Sequence, residues 1–135
     1  MKFIHTDYPA ENEYPKLVRD GIPEIIKKNI GVQPKYKVLK NNGAFLDALL
    51  KKMVEESVEL QHSLKNGNLE EELADIFEII DTIIPLRRTS VEKIVRIQKE
   101  KRKQRGGFDK RILMLKKAAV TPPKLQHHRA QRHRR

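Results

Sequence analysis

Apolar residues recur at intervals of three and four through the middle of the chain, a pattern typical of amphipathic helices. The pattern predicts one long helix over residues 43–65, with Asn41 or Asn42 as its cap. It predicts a second helix that opens at Asn68, with Glu71 three residues on in a capping-box-like arrangement, and closes near Pro85. Only a few residues connect the two, which favours an antiparallel helical hairpin. The apolar positions are Phe45, Leu46, Leu49, Leu50, Met53 and Val54 in the first helix, and Leu69, Leu73, Ile76, Phe77, Ile80, Ile83 and Ile84 in the second.

Shorter helices are predicted on both sides of this hairpin. Pro23 marks the start of a brief helix that Gly31 ends, because proline is tolerated in a first turn and glycine is favoured just past a last one. A further helix begins after a cap at Thr89 or Ser90 and stops at Gly106, and residues 108–115 after it are predicted to be extended or weakly structured. The predicted fold is therefore all-α, with little or no sheet: a helical hairpin with one or two further helices, similar to a four-helix bundle and completed by oligomerisation.

The length and charge of the chain divide it further. With 135 residues, one domain is the default. We expect an irregular N-terminal arm at residues 1–13, an all-α domain at 14–115 and a basic, disordered tail at 116–135. The tail holds seven Lys or Arg and no acid, so most of the net charge of +11 lies there and the rest of the chain carries only +4. The overall charge is thus weak evidence for a nucleic-acid-binding domain.

Cysteine content and hydropathy bear on the cellular compartment. The chain has no cysteine, which is compatible with a reducing compartment. No apolar run approaches the roughly 20 residues of a membrane span, and the first residues lack the apolar region of a signal peptide. We expect a cytoplasmic protein with no membrane partner.

Two pairs of carboxylates provide the candidate chemistry. Glu56 and Glu59 lie three residues apart in the first long helix, as do Glu72 and Asp75 in the second. Residues three apart share a helix face, so a hairpin could direct all four side chains into one volume. A hard divalent cation prefers such oxygen ligands, with Mg²⁺ as the leading candidate and Mn²⁺ as a second.

The alternative interpretation of these carboxylates is a solvated acidic face. Neighbouring lysines would then form ordinary surface ion pairs with them, and no cation would be needed. Those lysines are Lys51, Lys52 and Lys65. Spacing alone does not decide between the two interpretations.

Four short motifs follow one another along the chain. They are YPKLVRDGIP at residues 14–23, EESVE at 55–59, ELAD at 72–75 and RGGF at 105–108. Together they resemble the MazG-related all-α nucleoside triphosphate pyrophosphohydrolases, in the phosphoribosyl-ATP pyrophosphohydrolase-like group. The resemblance covers residues 14–115, and it departs at Pro15 and Gly21, where we would expect Asn and Lys.

The resemblance implies an enzyme that hydrolyses a nucleoside triphosphate between its α- and β-phosphates, giving a monophosphate and pyrophosphate. It implies that Glu56, Glu59, Glu72 and Asp75 hold Mg²⁺ and that the activity serves nucleotide-pool house-cleaning. Glu56 would thus take part in catalysis as a metal ligand. Glu55 is the candidate for the carboxylate that takes a proton from the attacking water, with a plain surface residue as the alternative.

Basic residues near the first and last motifs are candidates for contacts with the substrate phosphates. The substrate-binding candidates are Lys16, Arg19, Lys101, Lys103 and Arg105. For the lysines near the last motif, the alternative is a solvated helix end that complements the helix dipole.

Two further functions and one assembly remain open. The same scaffold could be a non-catalytic nucleotide-binding regulatory module, or the basic tail could bind nucleic acid through phosphate contacts. The apolar residues Ile79, Ile80, Ile83 and Ile84 cover more than one side of their helix. A single further helix cannot cover them all, so we expect a homodimer or a homotetramer.

Overall fold

The computed structural model describes residues 14–65 and 67–119. The predicted N-terminal arm and residues 120–135 of the predicted basic tail lie outside this part of the chain. The described residues form four α-helices and no strand: α1 (Ile22–Ile30), α2 (Asn42–His62), α3 (Leu69–Leu86) and α4 (Val91–Arg105). The all-α prediction is confirmed. None of these helices is long and apolar enough to cross a membrane.

The limits of α1 follow the two residues that predicted them. Pro23 lies in the first turn, where its missing N–H is not needed. Gly31 adopts a left-handed conformation with φ 74°, and its N–H donates to the Lys27 carbonyl at 2.8 Å. Glycine reaches this conformation without the steric cost that a Cβ would bring.

The start of α2 is capped as predicted, whereas its end comes earlier than residue 65. The Asn41 side chain accepts a hydrogen bond from the Ala44 N–H at 2.9 Å. At the other end, the Ser63 hydroxyl donates to the Leu60 carbonyl at 2.7 Å, and the Ser63 N–H bonds back to both Glu59 and Leu60. These contacts tighten the last turn and stop the helix at His62.

The start of α3 differs from the capping arrangement suggested by Asn68 and Glu71. Asn68 has φ −99° and ψ 23°, which is not the extended conformation of a capping residue, and its side chain makes no capping hydrogen bond. Three acidic residues occupy the first turn instead, where they complement the positive end of the helix dipole. Pro85 lies in the last turn, close to the predicted end.

Helices α2 and α3 pack against each other and form the core. A connection of only six residues joins them, so they run antiparallel, as the prediction of a hairpin requires. The buried apolar side chains are Leu49 and Val58 of α2 and Ile79 and Ile84 of α3. The core is small, and two carboxylates of α2, Glu55 and Glu56, are also buried.

The described residues divide into two compact units, the first ending at Ile97 and the second beginning at Gln98. In the second unit, α4 ends where Gly106 takes φ 85° and donates to the Arg102 carbonyl at 2.8 Å. Residues 111–115 then form no helix or strand and are exposed, as predicted for a weakly structured segment. The predicted domain of residues 14–115 spans both units, and its extent stays a prediction.

Candidate metal centre

Three carboxylates from the two hairpin helices converge on one volume. Glu56 comes from α2, and Glu72 and Asp75 come from α3, where their spacing of three places them on one face. One oxygen from each lies within 4.8 Å of the other two. Cation–oxygen distances of about 2.0–2.6 Å let opposite ligands of one ion stand about 4–5 Å apart. The cluster could therefore hold a metal ion, and its geometry does not specify Mg²⁺ over other hard cations.

Glu59 is the fourth predicted ligand. It lies one turn beyond Glu56 on α2 and is half-buried. Its carboxylate is not part of the three-residue group that converges in the described part of the chain. A role for Glu59 in holding a metal stays a prediction.

Glu55 is buried, and so it is not the exposed surface residue that was one interpretation of it. Glu55 and Glu56 are each only 8% exposed. The Lys52 ammonium nitrogen lies 3.5 Å from an oxygen of Glu55 and 3.6 Å from an oxygen of Glu56. The Lys52 ammonium thus contacts two neighbouring carboxylates, and it holds Glu55 beside the cluster.

Burial is the main reason why the pKa of Glu56 rises to about 8, and a hydrogen bond with Glu72 adds to the effect. The negative charge of Asp75 raises this pKa further, whereas the Lys52 cation lowers it. A buried carboxyl group among other carboxylates holds its proton because the charged form lacks both water and sufficient positive charge. The donor set is therefore all oxygen and short of positive charge, which fits a hard divalent cation.

Arg19, a predicted phosphate contact, binds the cluster itself. Its Nη2 donates to Oδ1 of Asp75 at 2.6 Å. This hydrogen bond is the main reason why the pKa of Arg19 is raised above its ordinary value. The structure therefore pairs a residue that was predicted to bind the substrate, Arg19, with a residue that was predicted to bind the metal, Asp75.

The remaining basic candidates are Lys16, which contacts an aromatic ring, and three residues of the second unit. The Lys16 nitrogen lies over the Tyr14 ring, 5.3 Å from its centre, within the range of a cation–π contact. Lys101, Lys103 and Arg105 are exposed at the C-terminal end of α4, where positive charge complements the helix dipole. A phosphate-binding role for all four stays a prediction.

Two contacts of the site were not identified from the sequence. The sequence predicts Lys52 only as a lysine of a surface pair, although its spacing of three and four from Glu55 and Glu56 is the helical signal for an ion pair. Arg19 and Asp75 are 56 positions apart, and no local pattern indicates their contact.

Comparison with known proteins adds no identification. No family model matches the sequence, and neither a curated protein nor a solved structure matches the chain. The four motifs of the sequence and the carboxylate cluster are therefore the features that bear on function.

Proposed function

We propose that this protein is a metal-dependent hydrolase of phosphoric anhydrides. More particularly, we propose a Mg²⁺-dependent nucleoside triphosphate pyrophosphohydrolase that gives a monophosphate and pyrophosphate, with a role in nucleotide-pool house-cleaning. The observation that carries the proposal is the convergence of Glu56, Glu72 and Asp75 across the α2–α3 hairpin. The resemblance of the four motifs to the MazG-related enzymes supports the choice of substrate.

In this proposal, the three converging carboxylates hold the cation together with Glu59. When bound, Mg²⁺ neutralises polyphosphate charge and acidifies an attacking water. Glu55 takes the proton of that water as the oxygen attacks phosphorus and the bond to the pyrophosphate oxygen breaks. The buried position of Glu55 beside Glu56 supports this role, because Lys52 holds it next to the cluster.

The test is a product assay with purified protein, Mg²⁺ and a panel of standard and damaged nucleoside triphosphates. We expect equal amounts of monophosphate and pyrophosphate. Glu56→Gln and Asp75→Asn should each lower the turnover rate by at least about 100-fold, because the carboxylates together hold one cation. Glu71→Gln is the matched control because Glu71 is exposed in the first turn of α3. Unchanged turnover in both cluster variants, with folding retained by circular dichroism, would reject the assigned site.

The second candidate is a nucleotide-binding regulatory module without turnover. The ion pair between Arg19 and Asp75 favours it, because Arg19 occupies one of the three converging carboxylates. This candidate predicts heat of nucleotide and metal binding in calorimetry, with no product in a parallel assay. Product formation would exclude it.

We also propose that the chain works as a homo-oligomer, with a dimer as the simplest closed form. Apolar side chains lie exposed on both hairpin helices, and those on α3 are spaced so that they share one face. The exposed residues are Leu50 and Val54 on α2 and Leu73, Phe77 and Ile80 on α3. A second copy that covers them would enlarge the small core of the hairpin.

A further inference from the structure

Arg19 lies in the segment just before α1, and within the described residues its side chain donates a hydrogen bond only to Asp75 on α3. The negative charges of Glu78 and Glu56 also stabilise the guanidinium and help to raise its pKa. The positive charge of Arg19 therefore stands at the edge of the carboxylate cluster. Arginine keeps this charge throughout the working pH range, so the contact does not switch with pH.

A divalent cation on Asp75 would compete with Arg19. The guanidinium nitrogen is 2.6 Å from Asp75 Oδ1, and a bound cation would stand about 2.0–2.6 Å from an oxygen of the same carboxylate. Two positive charges so close repel each other, and they share the negative charge that attracts both. The Arg19 side chain is 57% exposed, so its release into water costs little.

We infer that Arg19 is the internal counter-ion of the metal-free site, and that a divalent cation displaces it from Asp75. Once displaced, the guanidinium is available to a phosphate of the substrate. This inference rests on the proposed function, because it needs the cluster to hold a cation. It also reconciles the predicted phosphate contact of Arg19 with the ion pair that the structure shows.

Displacement of Arg19 would loosen the chain around it. The Arg19 carbonyl accepts a hydrogen bond from the Ile22 N–H at 3.1 Å, which links the residue to the first turn of α1. The segment at residues 16–21 is thus tied to α3 through the Arg19 side chain and to α1 through its backbone. Cation binding is expected to weaken the first of these ties.

The first measurement is calorimetric titration with Mn²⁺ alone, for the full chain and for Arg19→Gln. We expect the variant to bind Mn²⁺ about 2- to 5-fold more tightly, the range that corresponds to one exposed ion pair. Lys28→Gln is the matched control because it removes the same charge from an exposed position of α1. The control should bind as the unaltered protein does.

The second measurement separates displacement from a general effect of charge. Hydrogen exchange of the Ile22 amide, whose N–H donates to the Arg19 carbonyl, should become faster when Mn²⁺ is added to the unaltered protein, and that of α2 and α3 should not. In Arg19→Gln this amide should exchange fast from the start and show no response to Mn²⁺. Arg19→Lys, which keeps the charge but not the planar fork, should respond like the unaltered protein, though less strongly.

The outcomes distinguish the inference from the function on which it rests. If neither protein binds Mn²⁺, the metal centre itself is rejected, and the displacement of Arg19 with it. Equal affinities together with unchanged or slower exchange of the Ile22 amide would reject the displacement alone and leave the metal centre standing. Weaker binding in Arg19→Gln would also overturn it, because Arg19 would then support the cation.

Discussion

The Lys52 ammonium lies 3.6 Å from the Glu56 carboxylate, one helical turn away on α2, and both side chains are largely shielded from water. The same nitrogen lies 3.5 Å from Glu55. An ion pair in such a position differs from a surface pair because water cannot replace the missing partner. Lys52 therefore has a structural role in holding two carboxylates inside the hairpin.

Replacement of Lys52 by Gln should destabilise the protein by about 1–3 kcal/mol at pH 7, because buried Glu55 loses its cation, whereas Glu56 still holds its proton at this pH. Lys51→Gln is a matched control on the next residue, where Lys51 pairs with Asp47 at 3.2 Å on the exposed side of α2. That change should cost no more than about 0.5 kcal/mol. Urea unfolding measures both, and equal costs would contradict the buried role of Lys52.

The metal-free protein should lose stability as the pH rises through the range set by Glu56. The pKa of Glu56 is about 8 in the folded state and 4.5 for the ordinary group, so the folded state binds more protons between these values. The stability from this proton is fully present below about pH 4.5 and is lost as the pH passes 8. The contribution of Glu56 to the free energy of unfolding should fall by at most about 1.4 kcal/mol per pH unit.

The measurement is the free energy of unfolding in urea at pH 5.5, 7 and 8.5 with a chelator present. Histidines and other groups also titrate, so the comparison is with Glu56→Gln, which cannot release this proton. The difference between the two proteins should shift in favour of Glu56→Gln as the pH rises. Parallel pH profiles would show that Glu56 does not hold its proton in the folded state.

Addition of Mg²⁺ or Mn²⁺ should raise the thermal unfolding midpoint, and more at pH 8 than at pH 6. A cation at the cluster must displace the proton that Glu56 holds, and this displacement becomes easier as the pH approaches 8. A cation at about 100 times its dissociation constant would add about 2.7 kcal/mol. Differential scanning fluorimetry measures the midpoint.

The control for this effect is a pair of Asp→Asn variants. Asp75→Asn removes one of the three converging oxygens and should abolish the shift, whereas Asp47→Asn on the exposed side of α2 should keep it. Equal shifts in both variants would place the cation elsewhere on the protein.

The local parts of this structure could be predicted from the sequence because each depends on neighbours along the chain. Asn41 as a cap, Gly31 as a helix end and the shared face of Glu72 and Asp75 all follow from spacing within one or two turns. The short connection then determines that α2 and α3 run antiparallel. These features were enough to predict that Glu56 lies close to the two carboxylates of α3.

Contacts across the fold could not be predicted in this way. Spacing predicts that Glu59 lies on the same side of α2 as Glu56. Whether its carboxylate also reaches the carboxylates of α3 depends on the distance between the two helices at that turn, and this distance depends on how Leu49, Val58 and Ile79 pack. Arg19 reaches Asp75 across 56 positions, and the path of the segment before α1 has no periodic signal. Which side chains meet at the cluster thus depends on tertiary packing, whereas the helices that carry them could be predicted from local spacing.

The exposed apolar face of α3 should control self-association. Phe77 is 67% exposed, with Leu73 one turn before it and Ile80 one turn after it on the same face. Phe77→Glu should place a charge in a dimer interface and reduce the mass in solution to that of a single chain, as measured by light scattering after gel filtration. Phe108→Glu is the matched control, because Phe108 is 95% exposed in the second unit. A mass unchanged by Phe77→Glu, or lowered equally by Phe108→Glu, would show that the hairpin face does not join two copies.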